Sequence, residues 1–307
     1  MSLVPFKQVD VFTHQPFKGN PVAVVMDAKG LTPIQMQAIA NWTNLSETTF
    51  VLPVENPLAD YRVRIFTPGS ELPFAGHPTI GTAHALLEAG LIQAREGRIV
   101  QECGAGLITL NVTEMQPGQQ LITFELPEPT ITLLSTEQID RLESILGCPL
   151  DRALTPALID VGARWIVAHT IVGHTIVGHT IVGHTAGAEA VLAAEPDYAK
   201  LCEHDTQMNV TGVCLYGAYC EGAEADIEVR SFAPSCGVNE DPVCGSGNGS
   251  VAAFMHYHKV AMIDDKIVHS SQGKKLGRQG SVWLSHSDGK IFVGGGAVTC
   301  INGAITI

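Results

Sequence analysis

The sequence predicts an α+β fold made of two related halves, and three observations carry that expectation. Strand-like and helix-like patterns intermix without the regular βαβ spacing of a doubly wound sheet. Blocks of the first half recur in order in the second. The chain has 307 residues, more than the roughly 100–200 of a usual single domain, so two domains or one duplicated domain fit inside it.

The elements follow in order. Residues 7–12 alternate like a strand, and Gly19-Asn20-Pro21 leads into a second apolar run at 22–26, consistent with a hairpin-like pair. Leu31-Thr32-Pro33 supplies an N-cap and a proline at the first helical position, with Ile34, Met36, Ile39 and Ala40 near helical spacing. Strand-like runs come at 49–53, 61–66, 106–112 and 121–126, and helix-like stretches at 82–89 and 251–257.

The internal echo ties these together. Thr48-Thr49-Phe50-Val51-Leu52 precedes Arg64-Ile65-Phe66-Thr67-Pro68, then Ala75-Gly76-His77-Pro78-Thr79 and a helix. In the second half, Thr211-Gly212-Val213-Cys214-Leu215 precedes Arg230-Ser231-Phe232-Ala233-Pro234, then Cys244-Gly245-Ser246-Gly247 and an apolar stretch. Order and spacing are kept, so the expectation is two copies of one unit, with equivalent loops facing a pseudo-twofold cleft. A different repeat, His-Thr-Ile-Val-Gly, occupies the middle and places His169, His174, His179 and His184 five residues apart. A five-residue step alternates faces on a strand and does not converge imidazoles on a metal. The insertion is expected to be locally extended and inert, in the manner of a β-ribbon.

Composition bounds the function. Hydrophobic residues make up 45% and charged residues 16%, as in a globular protein. Acidic residues outnumber basic ones 31 to 18, a formal charge of −13 that disfavours nucleic acid and anionic membranes as partners. No apolar run approaches a spanning helix and the start carries no signal-peptide pattern, so the cytoplasm is the expected location. The 8 cysteines form no CxxC pair, which fits reduced thiols better than a disulfide framework or a zinc site.

The chemistry-bearing candidates cluster at two glycine-containing loops, 75–81 and 244–249, each leading into a helix. Unpaired N–H groups at a helix start favour an anion, and two opposed termini could clamp one carboxylate. Neither loop is a nucleotide-binding motif. Glu47 lies between Ser46 and Thr48 in an uncharged neighbourhood, where burial would raise its pKa towards working pH and make it an acid/base; a solvated strand-edge carboxylate is the alternative. His77 reads as a second proton carrier or a loop cap. Asp241, beside Glu240 and before Pro242, reads as a group that orients His77, a partner for a substrate ammonium, or a turn residue. Cys244 reads as a lowered-pKa thiol at a helix start or as a buried spectator. Its counterpart is Ala75, which excludes a two-thiol racemase if the echo is aligned correctly.

The blocks Asn44-Leu45-Ser46-Glu47-Thr48-Thr49-Phe50-Val51-Leu52, Arg64-Ile65-Phe66-Thr67-Pro68 and Glu71-Leu72-Pro73-Phe74-Ala75-Gly76-His77-Pro78 resemble the phenazine-biosynthesis PhzF-like family. So do Asp10-Val11-Phe12-Thr13, Gly19-Asn20-Pro21-Val22-Ala23-Val24, Glu240-Asp241-Pro242-Val243-Cys244-Gly245-Ser246, Gln272-Gly273 and Leu276-Gly277-Arg278, in family order across nearly the whole chain. The resemblance implies a diaminopimelate epimerase-like fold: two pseudo-symmetric domains, each a mixed sheet or barrel around a central helix, with the active site in the interdomain cleft. The expected division is residues 1–120 plus 296–307 against 130–292, the second carrying the repeat insertion at about 170–185.

What the resemblance implies for function is isomerisation by acid/base proton shuttling without cofactor or metal, on a small carboxylate-bearing substrate, in a homodimer. By motif, Glu47 matches the shuttling acid/base, His77 and Asp241 match polar partners of the substrate, and Gly76, Gly245 and Ser246 match the loops around its carboxylate. Asn20, Ser46 and Cys244 complete the expected substrate contacts. Pro242-Val243-Cys244 departs from the phenazine enzyme's small residues and Thr; the reaction class transfers and the substrate does not, because many family members share these motifs without an evident phenazine pathway. The alternatives are an epimerase using Cys244 with Glu47, and a small-acid binding protein without turnover.

Overall fold

The structure, a computed structural model, describes residues 3–170, 174–177, 180–184, 187–260 and 266–307. It divides into two compact units, Met1–Glu125 with Gly294–Ile307, and Leu126–Val293.

The first unit runs β1 (Leu3–Val11), β2 (Asn20–Val25), α1 (Pro33–Thr43), β3 (Glu47–Leu52), β4 (Tyr61–Phe66), β5 (Glu71–Leu72), α2 (Gly76–Glu88), β6 (Arg98–Cys103), β7 (Gly106–Gln116) and β8 (Gln119–Glu125). The C-terminal strand Ala297–Thr306 returns to pair antiparallel with β1. From that strand inward, β1–β2 is antiparallel, β2–β3 parallel, β3–β4 antiparallel, β4–β6 parallel and β6–β7 antiparallel. The second unit runs β9 (Thr130–Leu133), α3 (Thr136–Leu146), β10 (Ala157–Asp160), β11 (Arg164–His169), β12 (His174–Val177), β13 (Thr180–His184), α4 (Gly187–Ala193), α5 (Tyr198–Met208), β14 (Gly212–Ala218), β15 (Ile227–Ala233), β16 (Val238–Asp241), α6 (Gly245–Tyr257), β17 (Val268–Gln272), β18 (Gly280–Ser287) and β19 (Lys290–Gly295). Starting from β9, the pairings β9–β10, β10–β11, β11–β14, β14–β15, β15–β17 and β17–β18 repeat the first unit's series of antiparallel and parallel steps in the same order. Each unit is thus the same mixed sheet. The strand that opens it precedes β10 in one unit and is supplied by the chain's far end in the other.

Local chemistry explains the helix ends. Thr32 caps α1 in a reciprocal box with Gln35, Pro33 occupies the first turn where its missing N–H costs nothing, and Asn44 closes the helix in the left-handed region. Met36 and Ala40 are buried against Val25, Phe50 and Phe66, whereas Ile34, grouped with them by spacing, points outward and is 82% exposed. Ser135 and Gln138 make the same box at α3.

Helices α2 and α6 are different in kind. Each has 13 residues and is buried on nearly every side from its first turn onward. Helix α2 packs on β1, β2, β3, β8 and the C-terminal strand, and α6 on β10, β11, β14 and β18. Both begin about six residues earlier than the patterns at 82–89 and 251–257 predict. Gly-His-Pro-Thr-Ile-Gly and Gly-Ser-Gly-Asn-Gly-Ser are poor helix formers in isolation, but small residues let each helix approach its sheet. A Cβ on Gly81 would lie 2.4 Å from Val22 Cγ1 and 2.9 Å from Val11 Cγ2, and one on Gly247 2.7 Å from Ser231 Oγ and 2.8 Å from Cys214 Sγ. Gly81→Val is therefore expected to cost about 1–3 kcal/mol through overpacking, which lowers the melting temperature by roughly 2–10 °C; an unchanged calorimetric transition would show that α2 is not packed this closely.

In the repeat insertion β12 and β13 pair antiparallel, with His174 opposite His184. Residues 171–173, 178–179 and 185–186, which include His179, lie outside the described residues, so the expectation for the whole repeat extends beyond them. Among the described residues no helix is long and apolar enough to cross a membrane.

Candidate active site

In the first unit the candidate residues lie where β2, β3 and α2 begin. Asp10 Oδ2 accepts the N–H groups of Lys18 and Gly19 at 2.8 and 3.0 Å, folding the loop that delivers Asn20 to the start of β2. A side chain at Gly19 would place its Cβ 2.0 Å from the Val11 carbonyl oxygen, so only glycine lets the loop turn this tightly. Asn20 is fully buried and its Oδ1 lies 3.4 Å from Ser46 Oγ. Glu47, the first residue of β3, is in register with Val22 on β2, and its side chain is only 15% exposed. It is not a solvated edge carboxylate.

His77, in the first turn of α2, brings Nε2 to 3.1 Å from Glu47 Oε2. The approach is close but not aligned as a hydrogen bond from the ring. His77 is held instead through a hydrogen bond to the Pro21 backbone, and burial pushes its pKa down to about 3. At neutral pH the ring is uncharged. A carbonyl only accepts, so the ring nitrogen bonded to Pro21 carries the hydrogen, and Nε2 is the unprotonated nitrogen.

In the second unit the candidate residues lie at the start of α6. Asp241 ends β16, and its Oδ1 accepts the Val243 N–H at 3.0 Å. The side chain keeps some contact with solvent, yet the packing around the carboxyl pushes its pKa up to about 6, with the Glu240 charge adding to the rise. Ala75 and Cys244 hold equivalent positions as N-caps of α2 and α6, both extended. Of the two readings of Cys244, the buried one holds: its Sγ accepts the Gly247 N–H at 3.2 Å and serves as the cap, while burial and the neighbouring Asp241 drive the thiol pKa well up rather than down. Ser246 Oγ accepts from Trp165 Nε1 at 3.0 Å. The N–H groups of Gly76 and His77, and of Gly245 and Ser246, fall in helical first turns where no intrahelical acceptor exists.

Asn20, Ser46, Glu47, Gly76 and His77 thus gather in the first unit, and Asp241, Cys244, Gly245 and Ser246 in the second. Within its own unit His77 is oriented by its hydrogen bond to the Pro21 backbone. Sequence reasoning missed Pro21 in that role, Trp165, and a polar pin under each helix. Gln101 Nε2 donates to Thr79 Oγ1 at 3.0 Å, and Asn248 Nδ2 donates to Gln272 Oε1 at 2.7 Å; the same Gln272 oxygen takes the Cys244 N–H at 3.1 Å. Thr79 and Asn248 are each the fourth residue of their helix, so the echo aligned on Ala75 and Cys244 could have paired them.

A buried carboxyl 3.1 Å from a neutral imidazole is a group that can take and release a proton. The family of phenazine biosynthesis-like proteins, PhzC-PhzF, matches residues 9–303. The chain is 40% identical over 306 residues to antisense-enhancing sequence 1 of Schizosaccharomyces pombe, covering 97% of each. It is 33% identical over 306 residues to the trans-2,3-dihydro-3-hydroxyanthranilate isomerase of Pseudomonas fluorescens, covering 97% of this chain and 98% of that one. The crystal structure of a PhzF-family phenazine biosynthesis protein from Bacillus anthracis superposes with a TM-score of 0.83 over 100% of both chains at 24% identity, a likeness of fold. The chain belongs to the PhzC-PhzF family of PhzF-like isomerases.

Proposed function

We propose that the protein is a cofactor-independent isomerase that removes a proton from one carbon of a small carboxylate-bearing substrate and returns one to another, with Glu47 as the shuttle. The observation that carries this is the Glu47–His77 pair: buried, 3.1 Å apart, with an imidazole held neutral by burial and tied to Pro21. Glu47 as carboxylate takes the substrate proton; as carboxylic acid it gives one back. The composition of the substrate is unchanged, and proton transfer between carbons asks only for an acid/base and for stabilisation of the intervening negative charge. The N–H groups of Gly76, Gly245 and Ser246 are assigned to the substrate carboxylate, Asp241 to a polar contact, and Asn20, Ser46 and Cys244 to the surroundings. Local N–H dipoles must hold the anion against the chain's net charge of −13.

The Pseudomonas fluorescens relative supports trans-2,3-dihydro-3-hydroxyanthranilate as the first substrate to try. The raised thiol pKa of Cys244 weighs against a thiolate epimerase. The test is turnover of that compound alongside a panel of small cyclic amino and hydroxy acids, followed by proton NMR. An isomer of unchanged mass is the expected product; a ligand that binds and is returned unchanged throughout the panel would make the protein a binding protein.

A further inference from the structure

Four positions before each central helix's N-cap stands a glutamate held by an arginine fork: Glu71 before Ala75, and Glu240 before Cys244. Arg64 Nε and Nη2 donate to the two Glu71 oxygens at 2.7 and 2.6 Å, and Arg230 Nε and Nη2 to those of Glu240 at 2.9 and 2.8 Å. Each guanidinium also lies over a phenyl ring two residues along its strand, 5.2 Å from the Phe66 centroid and 4.8 Å from that of Phe232. The settings differ. The Arg64 and Glu71 side chains are 24% and 41% exposed, whereas those of Arg230 and Glu240 are each 4% exposed. Arg230 Nη1 spends its remaining hydrogens on the carbonyls of Val191 and Ala194 at 3.1 and 2.7 Å, so this guanidinium joins the end of α4 to β16.

The strand gripped in this way has a short, irregular ladder, and Gln272 Nε2 also donates to the Asp241 carbonyl at 3.0 Å. β16 is four residues long, enters from a turn at Gly237 with φ +84°, and pairs with β15 at Ser231↔Asp241 and Ala233↔Val238 with a register shift between them. Glu240 is nevertheless followed at once by Asp241, whose carboxylate shapes the turn to Val243, and then by the cap of α6. A bidentate fork fixes orientation as well as distance, which a single ladder contact does not.

We propose that Arg230 and Glu240 are positioning residues: their buried fork holds β16 in the register that presents Asp241 and the first turn of α6, and Arg64–Glu71 is the solvent-exposed, weaker copy of the same device. The proposal rests on the assignment of Asp241, Gly245 and Ser246 to substrate handling for its functional meaning, but not for its test.

The test is amide hydrogen exchange of the full chain without ligand, read by mass spectrometry with residue-level fragmentation. In Glu240→Gln, the Val243, Cys244 and Gly247 amides, which bond to Asp241, Gln272 and Cys244, should exchange about tenfold faster or more, while Leu142 and Ile145 in α3 change by less than about threefold. Arg230→Lys keeps the charge but loses the fork, and the same local acceleration is expected. Glu71→Gln should leave the amides of residues 76–80 within about threefold of the parent, since an exposed pair contributes little. Parent-like exchange at 243–247 in both variants of the buried pair would overturn the proposal. So would acceleration spread evenly over the second unit, failure of both variants to fold, or an equal effect from Glu71→Gln, because each assigns the pair to general stability. Full turnover in Glu47→Gln would refute the functional reading and leave this exchange pattern standing, so the two failures are distinguishable.

Discussion

Glu47→Gln is expected to lower turnover by about 10²–10⁴-fold, with the loss in kcat and with the fold intact. Glutamine keeps the length and polarity of the side chain at the start of β3, so the parallel pairing with β2 and the packing against α2 have no reason to change. What it loses is the ability to take and release a proton. His77 cannot substitute, because its pKa of about 3 makes it a poor base, and its ring hydrogen is committed to Pro21. The measurement is steady-state turnover of whichever panel substrate the parent converts. Activity within about threefold of the parent would remove Glu47 from the shuttle role.

The second large effect is on stability against acid, and its sign follows from the direction of the shift. His77 binds a proton at about 3 in the folded protein and near 6.5 when unfolded. Stability from keeping it neutral is therefore complete above pH 6.5 and is lost progressively as pH falls towards 3. Between pH 7 and pH 4 this amounts to about 3 kcal/mol, since each unit of pH within the window is worth about 1.4 kcal/mol. Asp241 runs the other way. Its folded pKa of about 6 is raised above the ordinary value of 3.8, so its contribution is present below pH 3.8 and is lost as pH rises through 6. Urea unfolding at pH 7 and pH 4 separates the two. His77→Gln should lose less stability on acidification than the parent by about 3 kcal/mol, whereas Asp241→Asn should lose more. An identical pH dependence in His77→Gln and the parent would mean that the ring is not held neutral.

The parts of the fold legible in the sequence were those written locally. Thr32, Pro33 and Gln35 announce α1, and Arg64-x-Phe66 and Arg230-x-Phe232 mark equivalent strands, because cap chemistry and strand alternation need only neighbours. The starts of α2 and α6 are illegible by propensity, because Gly81 and Gly247 answer to the sheet they touch rather than to the helix. The candidate site divides in the same way. Glu47 and His77 stood out by motif, but the neutrality of the imidazole depends on burial and on Pro21, and the Gln101–Thr79 and Gln272–Asn248 pins join strands to helices more than twenty residues apart. Cys244 at a helix start suggested a reactive thiol; burial beside Asp241 decides against it.

The most direct test of the shuttle is to run the isomerisation in deuterium oxide and locate the label by NMR, comparing the parent with Glu47→Gln. The account predicts deuterium in the parent's product at the carbon that gains a proton, and none above background with Glu47→Gln. Equal labelling by both proteins would contradict it.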